Sequence, residues 1–244
     1  MRDLNRELSA LPTLSAAGLT QPGYEYLLQR GVPADRLDDM VALFDLRYDE
    51  QTQRVVFPVR EGGKELGYAA RSIEPRQRKR WLSYPVEGGH KTTIYEADRV
   101  SAGGDTLFIV EGPFDALMVT AALPVVLGGL ESVATALFGS LPTYAQLALL
   151  SAAVAKYRMV YVMLDANVPG RCRRLASQLR DLTGLTNVGC ILIGLEYRDP
   201  GATPFEELLR LTSYAVASDA AEIRWMWERR QMLTNAGPSD LKQE

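Results

Sequence analysis

Histidine and cysteine are nearly absent from this chain, and each scarcity removes a class of chemistry. His90 is the single histidine among 244 residues, and Cys172 and Cys190 are the two cysteines. Structural zinc sites built from four cysteines, or from paired cysteines and histidines, are excluded because they need four N/S ligands close together. Ser-His-Asp and Cys-His catalysis is excluded unless His90 is the base, and nothing in Gly88-Gly89-His90-Lys91 suggests that. His90 is expected in a surface loop with no role. Cys172 is expected on a helix and Cys190 in a buried strand, with no metal between them. Two ordinary cysteines point to a reducing, intracellular setting. No run of 18 or more apolar residues suggests a membrane span, and the acid-containing start MRDLNRELSALPTLSAAGL does not read as a secretion signal. The expectation is a cytoplasmic protein. A large excess of positive charge is missing too. The net charge is −3, so any contact with nucleic acid must come from a local basic surface.

What is present is an ordinary globular composition, 47% hydrophobic and 23% charged, long enough for one large domain or two small ones. Residues 1–23 read as a loosely docked leader. YEYLLQRGV reads as a short helix with Tyr24, Leu27 and Leu28 on one face and Gly31 as its stop. RVVFPV (54–59) and LGYAARSI (66–73), joined across EGGK, read as a β-hairpin, and EPRQRKRW (74–81) as a basic loop. Residues 24–104 thus form a small α+β module. After Gly103-Gly104 the pattern changes to strands alternating with helices: LFIV (107–110), SVATALF (132–138), RMVYVML (158–164) and VGCILI (188–193) are the strand runs. That alternation predicts an α/β domain with a mainly parallel sheet over 105–212. A C-terminal helix and tail follow over 213–244, and its Ile223, Trp225, Met226, Trp227 and Met232 read chiefly as a helix packed on its own sheet, or else as a docking surface.

Functional groups in an open parallel sheet gather beyond the carboxyl ends of the strands, and acids fall there. Glu111 follows LFIV, with Asp115 four residues on; Asp165 follows RMVYVML; Asp199 lies just beyond VGCILIGLE. Carboxylates at one sheet edge repel one another and tend to share a cation, and hard oxygen ligands favour Mg²⁺ or Mn²⁺. Taken singly, each acid also reads as a helix cap, a first-turn acid or a turn residue.

Their order resembles the TOPRIM domain shared by DnaG-type primases, topoisomerases and certain nucleases. FIVEGPFDALMV (108–119) is similar to its strand–Glu-Gly–Asp signature, YVMLDANVPGR (161–171) to its Asp-x-Asp-x-x-Gly signature, and Ala136–Ser140 to the glycine turn between them. Asp199-Pro200 before FEELL resembles the later acidic segment. YLLQRGVPADRL (26–37), the stretch from Arg54 to Pro85, and Ile94-Tyr95-Glu96 resemble the N-terminal half of primase catalytic cores, closest to bacteriophage-type DnaG-like primases. The resemblance implies template-directed synthesis of RNA primers from ribonucleoside triphosphates on single-stranded DNA, in a bacterial or phage-infected cell. Glu111, Asp115 and Asp165 would be catalytic, and together with Asn167 and Asp199 they would hold Mg²⁺ or Mn²⁺, with no zinc. Arg60, Arg71, Arg76, Arg78, Lys79 and Arg80, with Trp81 and Tyr84, would track template and nucleotide, although such a run also reads as a solvated charged loop. Gly112, Gly139 and Gly170 would allow close backbone approach.

Two departures stand out. Asn167 replaces the second acid of the Asp-x-Asp element, bringing a carbonyl oxygen and no charge, with Glu196 a possible substitute, and Pro169 stiffens the same loop. The two cysteines are too few for the zinc-binding domain usual in this class, so the expectation is that start-site choice uses other means or a separate factor, with a replicative helicase as another candidate partner. A metal-dependent TOPRIM nuclease, and a degenerate protein that binds single strands or a replication partner without polymerising, stay open as alternatives.

Overall fold

The computed structural model describes residues 8–84, 90–124 and 131–217. Two helices, α1 (Gln21–Gln29) and α2 (Ala34–Leu43), lead into an antiparallel sheet of β1 (Arg47–Asp49), β2 (Arg54–Glu61), β3 (Lys64–Ser72) and β4 (Trp81–Tyr84), in that spatial order. Gly62 and Gly63 make the β2–β3 turn with φ of 62° and 70°, the left-handed pair that a two-residue hairpin requires. The helix α3 (Ala97–Ala102) then delivers the chain to β5 (Gly104–Val110). After it come α4 (Pro113–Ala121), β6 (Val133–Ala136), α5 (Tyr144–Val154), β7 (Tyr157–Val162), α6 (Pro169–Thr183), β8 (Val188–Cys190) and α7 (Phe205–Ala217). The second sheet is wholly parallel with order β6-β5-β7-β8, the expected α/β architecture.

Strand alternation sorts the parallel sheet's side chains into two cores. Phe108 and Val110 face α4, α7 and the first module, in one cluster that runs on through Leu27, Leu37 and Phe57. Leu107 and Ile109 face the opposite way, onto α3, α5 and α6. The first module is therefore packed on the α4 side of the sheet, and Arg36 of α2 fastens it there by donating to the carbonyls of Ala121 and Leu123 at the end of α4.

Several expectations change. Residues 8–20 are not loosely docked: Leu8, Leu11 and Leu14 are buried, and Thr13 bridges Arg47. Gly23 lets this segment close down, since a Cβ there would lie 2.7 Å from the side chains of Leu14 and Tyr48. Leu28 is turned outward, while Tyr24 and Leu27 are buried. His90 is not a surface residue. It is buried against the Phe138 ring, 4.8 Å between centroids, and burial lowers its pKa. Cys172 and Cys190, on α6 and β8, are not joined in a disulfide. The helix α7 runs unbroken from Phe205 to Ala217, across the boundary expected at 212/213, and the residues from 218 onward, with Trp225 and its neighbours, lie outside the described residues. No helix among the described residues is long and apolar enough to cross a membrane.

Candidate active site

A cavity of about 450 Å³ opens where the carboxyl ends of β5 and β7 meet the face of β3 and β4. Its floor is acidic. Glu111 leaves β5 and is held toward the neighbouring strand end, where its Oε1 accepts the Asp165 N–H at 3.1 Å. Asp115 sits one turn into α4, and both of its oxygens are occupied: Oδ2 accepts from the Gly112 N–H and Oδ1 from the Gly201 N–H, each at 3.0 Å. Asp199 is 8% exposed and receives the Arg198 Nε at 2.7 Å. Asp165 Oδ1 is buried with no hydrogen-bond partner, which is the costly state for a carboxylate oxygen.

These acids act on one another. Burial pushes Asp115 up to about 8, and the charges of Asp199 and Asp165 push the same way against its two backbone donors. Burial, with Glu111 and Asp199 beside it, pushes Asp165 up to about 7. Glu111 is raised chiefly by burial, while the Asp165 N–H and the Arg171 charge oppose the shift. Four carboxylates thus share a pocket in which burial first, and mutual repulsion after it, disfavour ionisation.

The opposite wall is cationic and belongs to the first module. Arg30, Arg71, Arg80 and Trp81 line it, and Arg198 stands at the rim. The Tyr26 hydroxyl ties two of these together, accepting from Arg30 Nη1 and Arg71 Nε at 3.1 Å each. Arg30 also lies 4.6 Å from the centre of the Phe114 ring and donates to the Gly201 carbonyl, so it bridges the two modules. Arg71 stacks on Trp81 at 5.4 Å. Beneath the basic loop, buried Arg54 donates to the carbonyls of Ala70, Lys79 and Arg80 and fixes the backbone that presents Arg80 and Trp81.

Glu111, Asp115, Asp165, Asp199, Arg71, Arg80, Trp81, Gly112 and Gly139 all line this cavity. Other candidates do not reach it. Arg76, Arg78 and Lys79 are exposed on the loop before β4. Arg60 is paired with Asp45 in a separate cleft beside Glu96 and Arg99. Tyr84 is a correction: it faces the other side of the sheet, buried against Tyr68 at 4.6 Å, with no free ring face for a base. Asn167 is exposed on the turn after β7 and is not part of the lining. Gly170 is outside the cavity lining, and a Cβ there would meet no protein atom within 4 Å.

Gly201, Arg30, Arg198 and Tyr26 are the residues that the sequence reading passed over. Gly201 is the tightest of them: a Cβ would lie 2.7 Å from the Phe114 ring and 2.8 Å from Asp115 Oδ1. Gly201→Ala should therefore displace the Asp115 carboxylate and destabilise the chain by about 1–3 kcal/mol. Chemical denaturation measures this, and an unchanged midpoint would show that the loop relaxes freely.

The floor suits a divalent cation in donor type and charge: hard oxygens, mutual repulsion and one orphaned carboxylate oxygen. Among the described residues no three acids, histidines or cysteines are already grouped closely enough to hold a metal ion.

No protein-family model and no curated protein sequence matches this chain. Solved structures match it in fold. The DnaG primase catalytic domain bound to single-stranded DNA aligns at a TM-score of 0.60 and 14% identity, covering 91% of this chain and 80% of that one. The primase fragment of the bacteriophage T7 primase-helicase protein aligns at 0.53 and 13% identity, covering 73% and 70%. The RNA polymerase domain of Mycobacterium tuberculosis primase DnaG aligns at 0.51 and 17% identity, covering 81% and 77%. At these identities the likeness is one of fold: the chain has the fold of DnaG-type primase catalytic cores, a helix-flanked parallel sheet joined to an antiparallel one.

Proposed function

We propose that this chain is the catalytic core of a DNA primase, joining ribonucleotides on a single-stranded DNA template. The observation that carries the reading is one cavity with a four-carboxylate floor facing an arginine–tryptophan wall. A triphosphate needs both sides: guanidinium groups to grip phosphate oxygens, and oxygen ligands for the accompanying cation. Mg²⁺ or Mn²⁺, held by Glu111, Asp115, Asp165 and Asp199, would offset the charge that develops during nucleotidyl transfer. Arg30, Arg71 and Arg80 would orient the phosphates, and Trp81 would offer a ring to a base. Glu111, with its pKa raised by burial, is the group suited to take the proton of the attacking hydroxyl. The single strand carried by the matched DnaG catalytic domain supports that template class. A replicative helicase or a separate start-site factor would be the replication partner.

Primer synthesis on single-stranded templates with labelled nucleotides, in Mg²⁺ and separately in Mn²⁺, tests the reading. Products of defined length support it. Single-strand binding without product in either metal would instead support a non-catalytic binding protein, the reading that exposed, uncharged Asn167 favours. Cleavage of the template would mean a nuclease.

Asn167→Asp adds a carboxylate two residues from Asp165. Ligand charge count tunes cation affinity, so the Mg²⁺ concentration for half-maximal synthesis should fall by about threefold or more. An unchanged Mg²⁺ titration would place this side chain outside the cation-binding set.

A further inference from the structure

The cavity has a second bank, on the α5–α6 side of the sheet, and its composition is unlike the rest of this net-acidic chain. The first two turns of α6 carry Arg171, Arg173 and Arg174, all exposed, and no acid stands in its first turn. None of the ion pairs among the described residues involves any of the three. This placement works against the helix. Cations near a helix N-terminus oppose the macrodipole, and Arg171 and Arg174 at i,i+3 repel one another. The neighbouring α5, YAQLALLSAAV, bears no charge, and its first residue, Tyr144, is 93% exposed, next to Leu141 at 58%.

This bank is continuous with the carboxylates. Arg171 Nη1 donates to Ser140 Oγ, beside the cavity-lining Gly139, and its charge reaches Glu111. Arg173 shares with Asp165 a smaller hollow beyond the ends of β7 and β8. The acids therefore lie between two cationic surfaces: the Trp81 wall on the first module, and an arginine face on α6.

We infer that the α6 arginine face, with Tyr144 at its margin, binds the sugar-phosphate backbone of the RNA–DNA hybrid as it leaves the carboxylates. This rests on the primase reading and extends it to the product. The two banks differ in the chemistry they offer. Single strands are held by rings stacked on unpaired bases, and Trp81 provides one on the first bank. A duplex hides its base faces and presents phosphates, which arginines read without a row of aromatics. Exposed arginines clustered in the first two turns of one helix, none of them in an ion pair among the described residues and at a cost to that helix, suit a polyanion that arrives only after bonds have formed.

The test compares wild type with the Arg173→Ala/Arg174→Ala double variant and with Tyr144→Ala. A fluorescent RNA–DNA hybrid of about ten base pairs and the matching single strand are titrated at several salt concentrations. The double variant should bind the hybrid about tenfold more weakly, with a salt dependence shallower by about two ions, and the single strand within twofold of wild type. Tyr144→Ala should weaken hybrid binding by a smaller factor. The double variant should melt at the same temperature as wild type or higher, because charges opposing the helix dipole have been removed. Formation of the first dinucleotide should be unchanged while longer products become scarce. Unchanged hybrid affinity, or equal loss for hybrid and single strand, would overturn the assignment, as would failure of wild type to bind the hybrid. Wild type that binds the hybrid but makes no primer would sink the primase reading and leave the binding comparison to decide this one.

Discussion

Glu111→Gln should reduce primer synthesis by about a thousandfold or more, within the range for losing a group that handles a proton or ligates the reacting centre. The substitution keeps size and shape. Gln can still offer an oxygen to the Asp165 N–H, the contact that Oε1 makes now. What it loses is the negative charge and the capacity to accept a proton. Folding should not suffer. Burial already disfavours the ionised form of Glu111, so removing the charge should leave the melting temperature at pH 8 equal or higher. Single-strand affinity should also hold, because Arg71, Arg80 and Trp81 stand on the other wall. Steady-state synthesis, melting and strand binding measured on the same preparation separate these effects. A variant that is folded, binds DNA and still polymerises at near wild-type rate would remove Glu111 from the chemistry.

The acids were legible in the sequence because each follows an apolar strand run directly, or within a few residues. In a parallel sheet every such end emerges on the same edge. The cationic wall was only half legible. Arg71 and Arg80 lay in an evident basic run, whereas Arg30 and Arg198 come from places 168 positions apart in the numbering, and only the docking of α1 against α4 unites them. Tyr84 was misassigned although the signal was available. Trp81 and Tyr84 are three residues apart in one strand, so alternation puts them on opposite faces, and Trp81 alone can look into the cavity. Arg54 went unnoticed because an arginine at the start of a strand normally reads as a solvated end. Here it is 1% exposed, with three carbonyls as its partners. The leader was read over residues 1–23 as a whole, where the charged start draws attention away from Leu8, Leu11 and Leu14, which recur at every third position and are buried by that spacing.

Without divalent cation, the protein should lose stability as pH rises from 6.5 to 9, and Mn²⁺ should restore it. The sign follows from the carboxylates. Asp165 and Asp115 stand at about 7 and about 8 in the folded chain, well above their ordinary value. Between the unfolded and folded values the native state holds protons that the unfolded state has released, so the favourable contribution is complete at low pH and disappears as pH passes through 7 and 8. Burial lowers the pKa of His90, which gives the opposite trend, but its window closes at about 6.5, and the shifted tyrosines lie above 10. The interval from 6.5 to 9 therefore belongs mainly to the carboxylate floor. The melting temperature should drop by at least about 5 °C across it in chelator. A cation removes the reason for the drop, because it replaces the protons and turns the repulsion among Glu111, Asp115, Asp165 and Asp199 into attraction. In millimolar Mn²⁺ the profile should flatten, and the largest gain should come at pH 9, where the displaced protons are already gone. Asp165→Asn tests the assignment, since its orphaned oxygen has no partner to lose. In chelator this variant should show a smaller fall with pH and, near pH 9, a higher melting temperature than wild type. In Mn²⁺ it should gain little. A wild-type profile that is flat in chelator, or a fall that Mn²⁺ does not reverse, would mean that these acids are not a cation site, and the nucleotidyl-transfer reading would go with them.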